Sequence, residues 1–133
     1  MKLAADANVL LSAIIGGQAA RILRHPTVTD VMTTASVLVE VEEYAGVMAR
    51  KRGLAEDIVL LAAASLPVTV IPEPVYRASI SMARKRIGHR DPDDVDLLAL
   101  ALHFSIPIWS NDRDFEDGGV AWYTTAALLA KLG

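Results

Sequence analysis

The chain contains no cysteine. That excludes a disulfide framework, thiolate catalysis and sulfur-ligated zinc. It also fits a reducing, cytoplasmic setting. Aromatic residues make up only 5% of the chain, so an aliphatic core is expected. No apolar run approaches the ~18 residues needed to span a bilayer, and no membrane partner is expected. Met1-Lys2-Leu3 has a faint signal-peptide flavour, but Asp6 and Asn8 interrupt the apolar stretch that such a leader needs. There is no Walker A sequence, no Gly-x-Gly-x-x-Gly fingerprint and no Gly-x-Ser-x-Gly elbow. His25, His89 and His103 lack zinc-like spacing.

What the chain does have is apolar patterning. Its 133 residues are 53% hydrophobic and 22% charged, which suits one domain, residues 1–133, with a substantial core. Short apolar runs alternate with longer helical patterns, the signature of an α/β fold. Strands are expected at 3–5, 31–33, 68–71, 106–109 and 120–123. Helices are expected over 8–24 (broken near Gly16-Gly17), 35–51, 54–65, 75–87, 92–104 and from Thr124 or Thr125 to Leu132. Gly53 suits a helix C-cap, and Gly88 ends the helix before it.

Acidic residues stand where such a fold turns from strand to helix. Asp6 follows the first strand. Asp94 opens a helix in Asp91-Pro-Asp-Asp94-Val. Asp112 follows the strand ending Ile108-Trp-Ser-Asn-Asp112. Ligands of open α/β sheets bind beyond the carboxyl ends of the strands, which puts Asp6 and Asp112 on the binding edge. Carboxylates gathered there repel one another unless a cation joins them, so the pattern points to a divalent metal. Ser110 and Asn111 can hydrogen-bond ligands or carboxylates, and Asn8 can orient Asp6.

Each acid also has a plainer explanation. Asp91 can cap a helix, Pro92 fits its first position, and Asp93 and Asp94 suit the helix dipole. Helical phase separates them: Asp94 points with Leu98 and Ala101 toward the packed side, whereas Asp96 accompanies His103 toward water, with Asp93 nearby. In the helix over 35–51, Val37, Val41, Tyr44 and Met48 form the expected apolar stripe. Glu40 lies at its border, roughly 70° from its centre, while Glu42 and Glu43 lie about 130° away on opposite flanks. Asp112 to Asp117 has the composition of an acidic turn, but its location after a buried strand argues for more than that.

Net charge is −3, and eight of the sixteen acids fall within residues 91–117. Basic residues cluster elsewhere, as Arg50-Lys51-Arg52 and Arg84-Lys85-Arg86. Both triplets stand near helix C-termini, where cations offset the dipole, and phosphate contact is their alternative role. Two divalent cations would carry −3 to +1, so the charge neither supports nor excludes an RNA substrate. Arg90 and Arg113 flank the acids and are candidates for substrate contact, while the neighbouring His89 reads rather as a surface loop histidine than as a substrate contact.

Together these pieces resemble the PIN domain family, which contains the VapC-type toxin ribonucleases. The resemblance rests on Asp6-Ala-Asn8 after an initial strand and on Thr34-Ala-Ser-Val-Leu-Val-Glu40-Val opening a helix. It rests further on Asp91-Pro-Asp-Asp94-Val with Ala101 beyond, and on Trp109-Ser-Asn-Asp112-Arg-Asp114-Phe115. It extends over nearly the whole chain, including Thr124-Thr125-Ala-Ala-Leu-Leu. It implies an α/β/α sandwich with a central, mostly parallel sheet. It implies catalytic acids Asp6, Glu40, Asp94 and Asp112, a Mg²⁺ or Mn²⁺ site of these four with Asp114, and supporting roles for Asn8, Ser110 and Asp91. The implied activity is a metal-dependent endoribonuclease releasing 5′-phosphate and 3′-hydroxyl ends. The implied partners are RNA and a cognate antitoxin, and the apolar composition suits a homodimer. The His89 position is often acidic in near relatives.

Two other readings remain. A haloacid dehalogenase-type phosphohydrolase also uses aspartates at strand ends, but it would want Asp-x-Asp after the first strand and a lysine beyond. Here the pair is Asp6-x-Asn8, and no lysine lies between Lys85 and Lys131. A catalytically inactive RNA-binding module of the same fold is the other, against which all four acids are present.

Overall fold

The structure is a computed structural model and describes residues 1–88 and 91–133, so His89 and Arg90 lie outside it. In chain order the main elements are β1 (Lys2–Ala5), α1 (Ala7–Ile14), α2 (Ala19–Leu23), β2 (Asp30–Thr34), α3 (Ala35–Arg52) and α4 (Glu56–Ala64). Then follow β3 (Thr69–Ile71), α5 (Glu73–Tyr76), α6 (Ile80–Ile87), α7 (Pro92–Phe104), β4 (Ile108–Trp109), β5 (Trp122–Tyr123) and α8 (Thr125–Leu132). Short 3₁₀ turns occupy Arg77–Ser79 and Arg113–Phe115. No helix among the described residues is long and apolar enough to cross a membrane.

All five strands pair in parallel, in the order β3-β2-β1-β4-β5. Side chains alternate across a strand, and here both faces are apolar. Leu3, Ala5, Val31 and Trp109 pack on one face with α1, α2, α3, α4 and α8. Ala4, Met32 and Ile108 pack on the other with α5, α6 and α7. Two-sided burial is why these strands read as continuous apolar runs. Helix α7 is the centre of the second layer. Leu97, Leu98 and Leu100 are all fully buried, each such side chain contributing ~1.5–3 kcal/mol of transfer free energy. The expected α/β/α sandwich is therefore present, with a wholly parallel sheet.

Local signals set the helix ends. Thr34 caps α3 by accepting from the Val37 amide at 3.1 Å, and Thr124 caps α8 by accepting from Ala127 at 3.1 Å. Asp91 caps α7 through the Asp93 amide at 2.9 Å, with Pro92 in its first turn. Gly53 ends α3 at φ 65°, a left-handed conformation that suits glycine.

Two expectations need correction. The helix expected over 75–87 begins at Glu73 and is interrupted by the 3₁₀ turn at Arg77–Ser79. Pro74 fits the first turn of α5, where its missing amide costs nothing. The sequence carries no comparable signal for the tight turn. Tyr44 is not in the core stripe of α3, being 53% exposed. The stripe is Val37, Val41, Ala45 and Ala49, a strict four-residue period in which two small alanines take the buried places.

The order of the sheet positions the site. From β1 the chain connects to β2 on one side, while β4 lies on the other. A crevice opens at such a switch point, beyond the carboxyl ends of the two strands.

Candidate active site

The register of β1 on β4 pairs Ala5 with Trp109, so one residue further Asp6 stands beside Ser110. The Asp6 amide donates to the Trp109 carbonyl at 3.0 Å. The Ser110 hydroxyl donates to Asp6 Oδ2 at 2.8 Å, and accepts from Asn8 Nδ2 at 3.1 Å and from the Asp112 amide at 3.0 Å. One donated and two accepted bonds use its full capacity. Asn8 Nδ2 also lies 3.2 Å from Asp6 Oδ2, and Asn8 Oδ1 accepts from the Asn111 amide at 3.0 Å. Asp6 Oδ1 accepts from the Ala7 amide at 2.8 Å. A capping role would occupy one carboxylate oxygen; here both are fixed, in a side chain that is buried.

The network continues away from the acids. Asn111 Oδ1 accepts from the Thr125 amide at 2.9 Å, at the start of α8. The Trp109 indole donates to Thr125 Oγ1 at 3.0 Å, and the Trp122 indole to the Ser110 carbonyl at 2.9 Å. The loop carrying Asp112 is thereby tied to β1, β5 and α8.

Beyond the strand ends lies a cleft of about 320 Å³, walled by Asp6, Asn8, Glu40, Asp91, Asp93, Asp94, Asp112 and Asp114, with Leu11 and Tyr44. Seven carboxylates from four regions of the chain thus share one hollow. Their titration reflects it. Burial pushes the Asp94 carboxyl up to about 8, helped by the charges of Asp6 and Asp114, a hydrogen bond with Asp114 and the charge of Asp91. The N-terminus of α7 would by itself favour the anion, so burial and crowding outweigh the helix dipole. Asp6 is raised by burial and by Asp112 and Asp114, against the lowering effect of its bonds from Ser110 and Ala7. Glu40 is raised by burial and then by Asp6, Asp93, Asp91 and Glu43.

The structure therefore brings together Asp6, Glu40, Asp94, Asp112 and Asp114, with Asn8, Ser110 and Asp91 around them. Glu42 and Glu43 are exposed. Arg113 is not in the cleft wall; it is exposed and pairs with Glu116 at 3.2 Å. The expectation for Arg90 falls outside the described residues. Asp93, set aside by phase, lines the cleft. It does so because α3 packs alongside, and Ser36 of that helix hydrogen-bonds it and lowers its pKa against burial and the charge of Asp91. Nothing in the local sequence signals that packing. Asp96 is not simply in water. It is half-buried, and raised by burial and by Glu73 and Asp93.

Hard oxygen donors of this kind suit Mg²⁺ or Mn²⁺ and exclude a soft-metal site. The fit is one of donor chemistry. As the side chains stand, no group of three or more acids or histidines among the described residues could hold one ion. Their mutual repulsion is the physical reason to expect them apart until a cation draws them in.

A family model described as the PIN domain matches residues 5–133. No curated protein matches the chain in sequence. Among solved structures it is similar to VapBC2 from Rickettsia felis, bound to a DNA fragment from their promoter. The TM-score is 0.72 and the identity 13%, over 93% of this chain and 98% of that one. It is similar to VapC20 of Mycobacterium tuberculosis, a sarcin-ricin loop cleaving toxin, with TM-score 0.61 and 22% identity over 91% and 97% of the two chains. FitAcB from Neisseria gonorrhoeae gives 0.60 and 15%, over 93% and 98%. At these identities the likeness is one of fold.

Proposed function

The chain belongs to the PIN domain family, and from that premise we propose that it is a metal-dependent endoribonuclease with Asp6, Glu40, Asp94 and Asp112 as its catalytic acids. The observation that carries the reading is the shared cleft, in which burial and crowding push Asp94 up to about 8. Such crowding is unfavourable for the fold alone, and perturbed acids cluster at working sites.

Asp6, Glu40, Asp94, Asp112 and Asp114 would hold Mg²⁺ or Mn²⁺. A divalent cation supplies charge neutralisation at phosphate oxygens and lowers the pKa of water for in-line attack. The chain's own part is preparation. Ser110 and Asn8 fix the Asp6 carboxylate, and Ser110 fixes the Asp112 backbone as well, so these two acids are held relative to one another before any ligand arrives. In the metal-free cleft, burial and crowding favour the protonated form of Asp94, which must lose that proton to act as a ligand. Metal binding is therefore coupled to proton release and strengthens with rising pH.

The toxin role and the antitoxin partner are part of the same proposal. Their support is that the similar structures include VapBC2, FitAcB and a sarcin-ricin loop cleaving toxin. Purified protein is expected to cut single-stranded or loop RNA with Mg²⁺ or Mn²⁺ and to stop in excess EDTA. Full cleavage by rigorously purified protein in EDTA would falsify the metal-dependent reading.

A further inference from the structure

Tyr44 is the one aromatic side chain of the seven that is exposed. Trp109, Tyr76 and Phe115 are buried, and Phe104, Trp122 and Tyr123 are half-buried. Its ring is not an isolated surface group. It lines the acidic cleft and also an adjoining hollow of about 390 Å³, which shares Glu40 and Asp93 with the cleft and is completed by Ser36, Val39 and Glu43. Ser36, Glu40, Glu43 and Tyr44 recur at helical spacing on α3, so they present one face. A flat apolar surface thus stands between the acids and a second hollow large enough for one nucleotide-sized group.

The chemistry around the ring restricts what covers it. The carboxylates of Glu40, Glu43 and Asp93 disfavour an acidic ligand. They also offer acceptors to the amino and imino N–H groups of a nucleobase, and the Ser36 hydroxyl, whose proton goes to Asp93, can accept as well. A base is neutral, has a π-face that stacks on tyrosine, and hangs within one nucleotide's reach of its phosphate. Resting on the ribonuclease reading, we propose that Tyr44 is the stacking platform for a nucleobase next to the scissile phosphate, with Ser36 and Glu43 receiving that base's edge. Tyr44 would then govern substrate affinity and sequence preference, without taking part in the acid chemistry.

The experiment uses the full chain with Mn²⁺ and a set of single-stranded RNA oligonucleotides, one intact and the others each lacking one base. KM and kcat are measured for wild type, Y44F, Y44L and Y44A. Y44A is expected to raise KM about 10-fold on the intact strand, the order of one lost base–aromatic stack, with kcat little changed. Y44F keeps the wild-type KM and Y44L does not, because stacking needs the ring and not merely apolar area. On the oligonucleotide that lacks the partner base, wild type and Y44A become equal. An unchanged KM in Y44A, a wild-type KM in Y44L, or the same loss on every abasic strand overturns the inference while leaving the ribonuclease reading intact. Failure of the wild type to cleave any of these RNAs overturns both. The exposed position makes unfolding of the variants avoidable, and equal melting temperatures confirm that.

Discussion

Asp94 and Asp96 stand two positions apart on α7, and the helix turns about 200° between them. The turn sends Asp94 to the acid cleft, while Asp96 faces the neighbourhood of Glu73 and Arg84. Both are half-buried, so solvation does not distinguish them; their neighbours do. The Asp94 carboxyl, pushed up to about 8, has a folded pKa above its unfolded value of about 3.9. Between those values the folded chain binds the extra proton. Asp94 therefore lowers stability progressively as pH rises from about 4 to about 8, and its cost is constant above that. Asp94→Asn removes the titration. Its metal-free melting temperature is expected to lie clearly above wild type at pH 8 and to converge with it only near pH 4. Cleavage is expected to fall at least ~100-fold, as when one group of a coupled site is lost, whereas Asp96→Asn retains most of its activity. Equal loss of cleavage in the two variants would discard the phase argument.

At the scale of elements, a two-residue strand does more than its length suggests. β4 presents Trp109 to one layer and Ile108 to the other. Directly after it, Ser110 and Asn111 bind β1's acid and α8's first amide respectively. Ser110→Ala removes one donated and two accepted bonds at a fully buried hydroxyl. It is expected to weaken Mn²⁺ affinity and cleavage about 10–100-fold, as lost ligand-supporting bonds do, and to cost about 1–3 kcal/mol of stability. Asn111→Ala loosens α8 instead and is expected to spare most of the metal affinity. Manganese titration of both variants checks the order; intact affinity in Ser110→Ala would remove it from the supporting role. The elements themselves were legible where local chemistry sets them: Asp91-Pro92, Thr124 and Gly53 mark their helix ends, and β-branched runs mark strands. Tyr44 misled because hydrophobicity ranks it above alanine. Burial in α3 instead follows the space available, which Ala45 and Ala49 fill. Asp93 was missed because its place depends on α3 lying beside α7, a contact that no local pattern encodes.

Across the whole molecule, charge is separated by function and not by sequence neighbourhood. The basic triplets end α3 and α6, where they offset helix dipoles, while the acids converge from the residue after β1, from α3, from the start of α7 and from the loop after β4. The acidic edge was legible because an α/β pattern with acids after apolar runs puts them at one end of the sheet. The strand order, which brings Asp6 beside Ser110 across 104 residues of chain, was not, since parallel pairing is long-range. This arrangement makes the fold's stability depend on what neutralises the cleft. The metal-free chain carries the repulsion among its carboxylates, and any ligand that binds only the folded state stabilises it by mass action. Mn²⁺ at ~100 times its dissociation constant is expected to add about 2.7 kcal/mol, read as a rise in melting temperature that Na⁺ at equal ionic strength does not reproduce. Simple screening acts on both salts alike, so the difference isolates specific binding. The rise should grow from pH 6 to pH 8 as Asp94 gives up its proton, and it should be much smaller in Asp94→Asn, which lacks one of the ligating carboxylates and so binds the ion more weakly. A wild-type shift that is the same with Na⁺, or one that Asp94→Asn retains in full, would mean that these acids do not bind the ion as a unit.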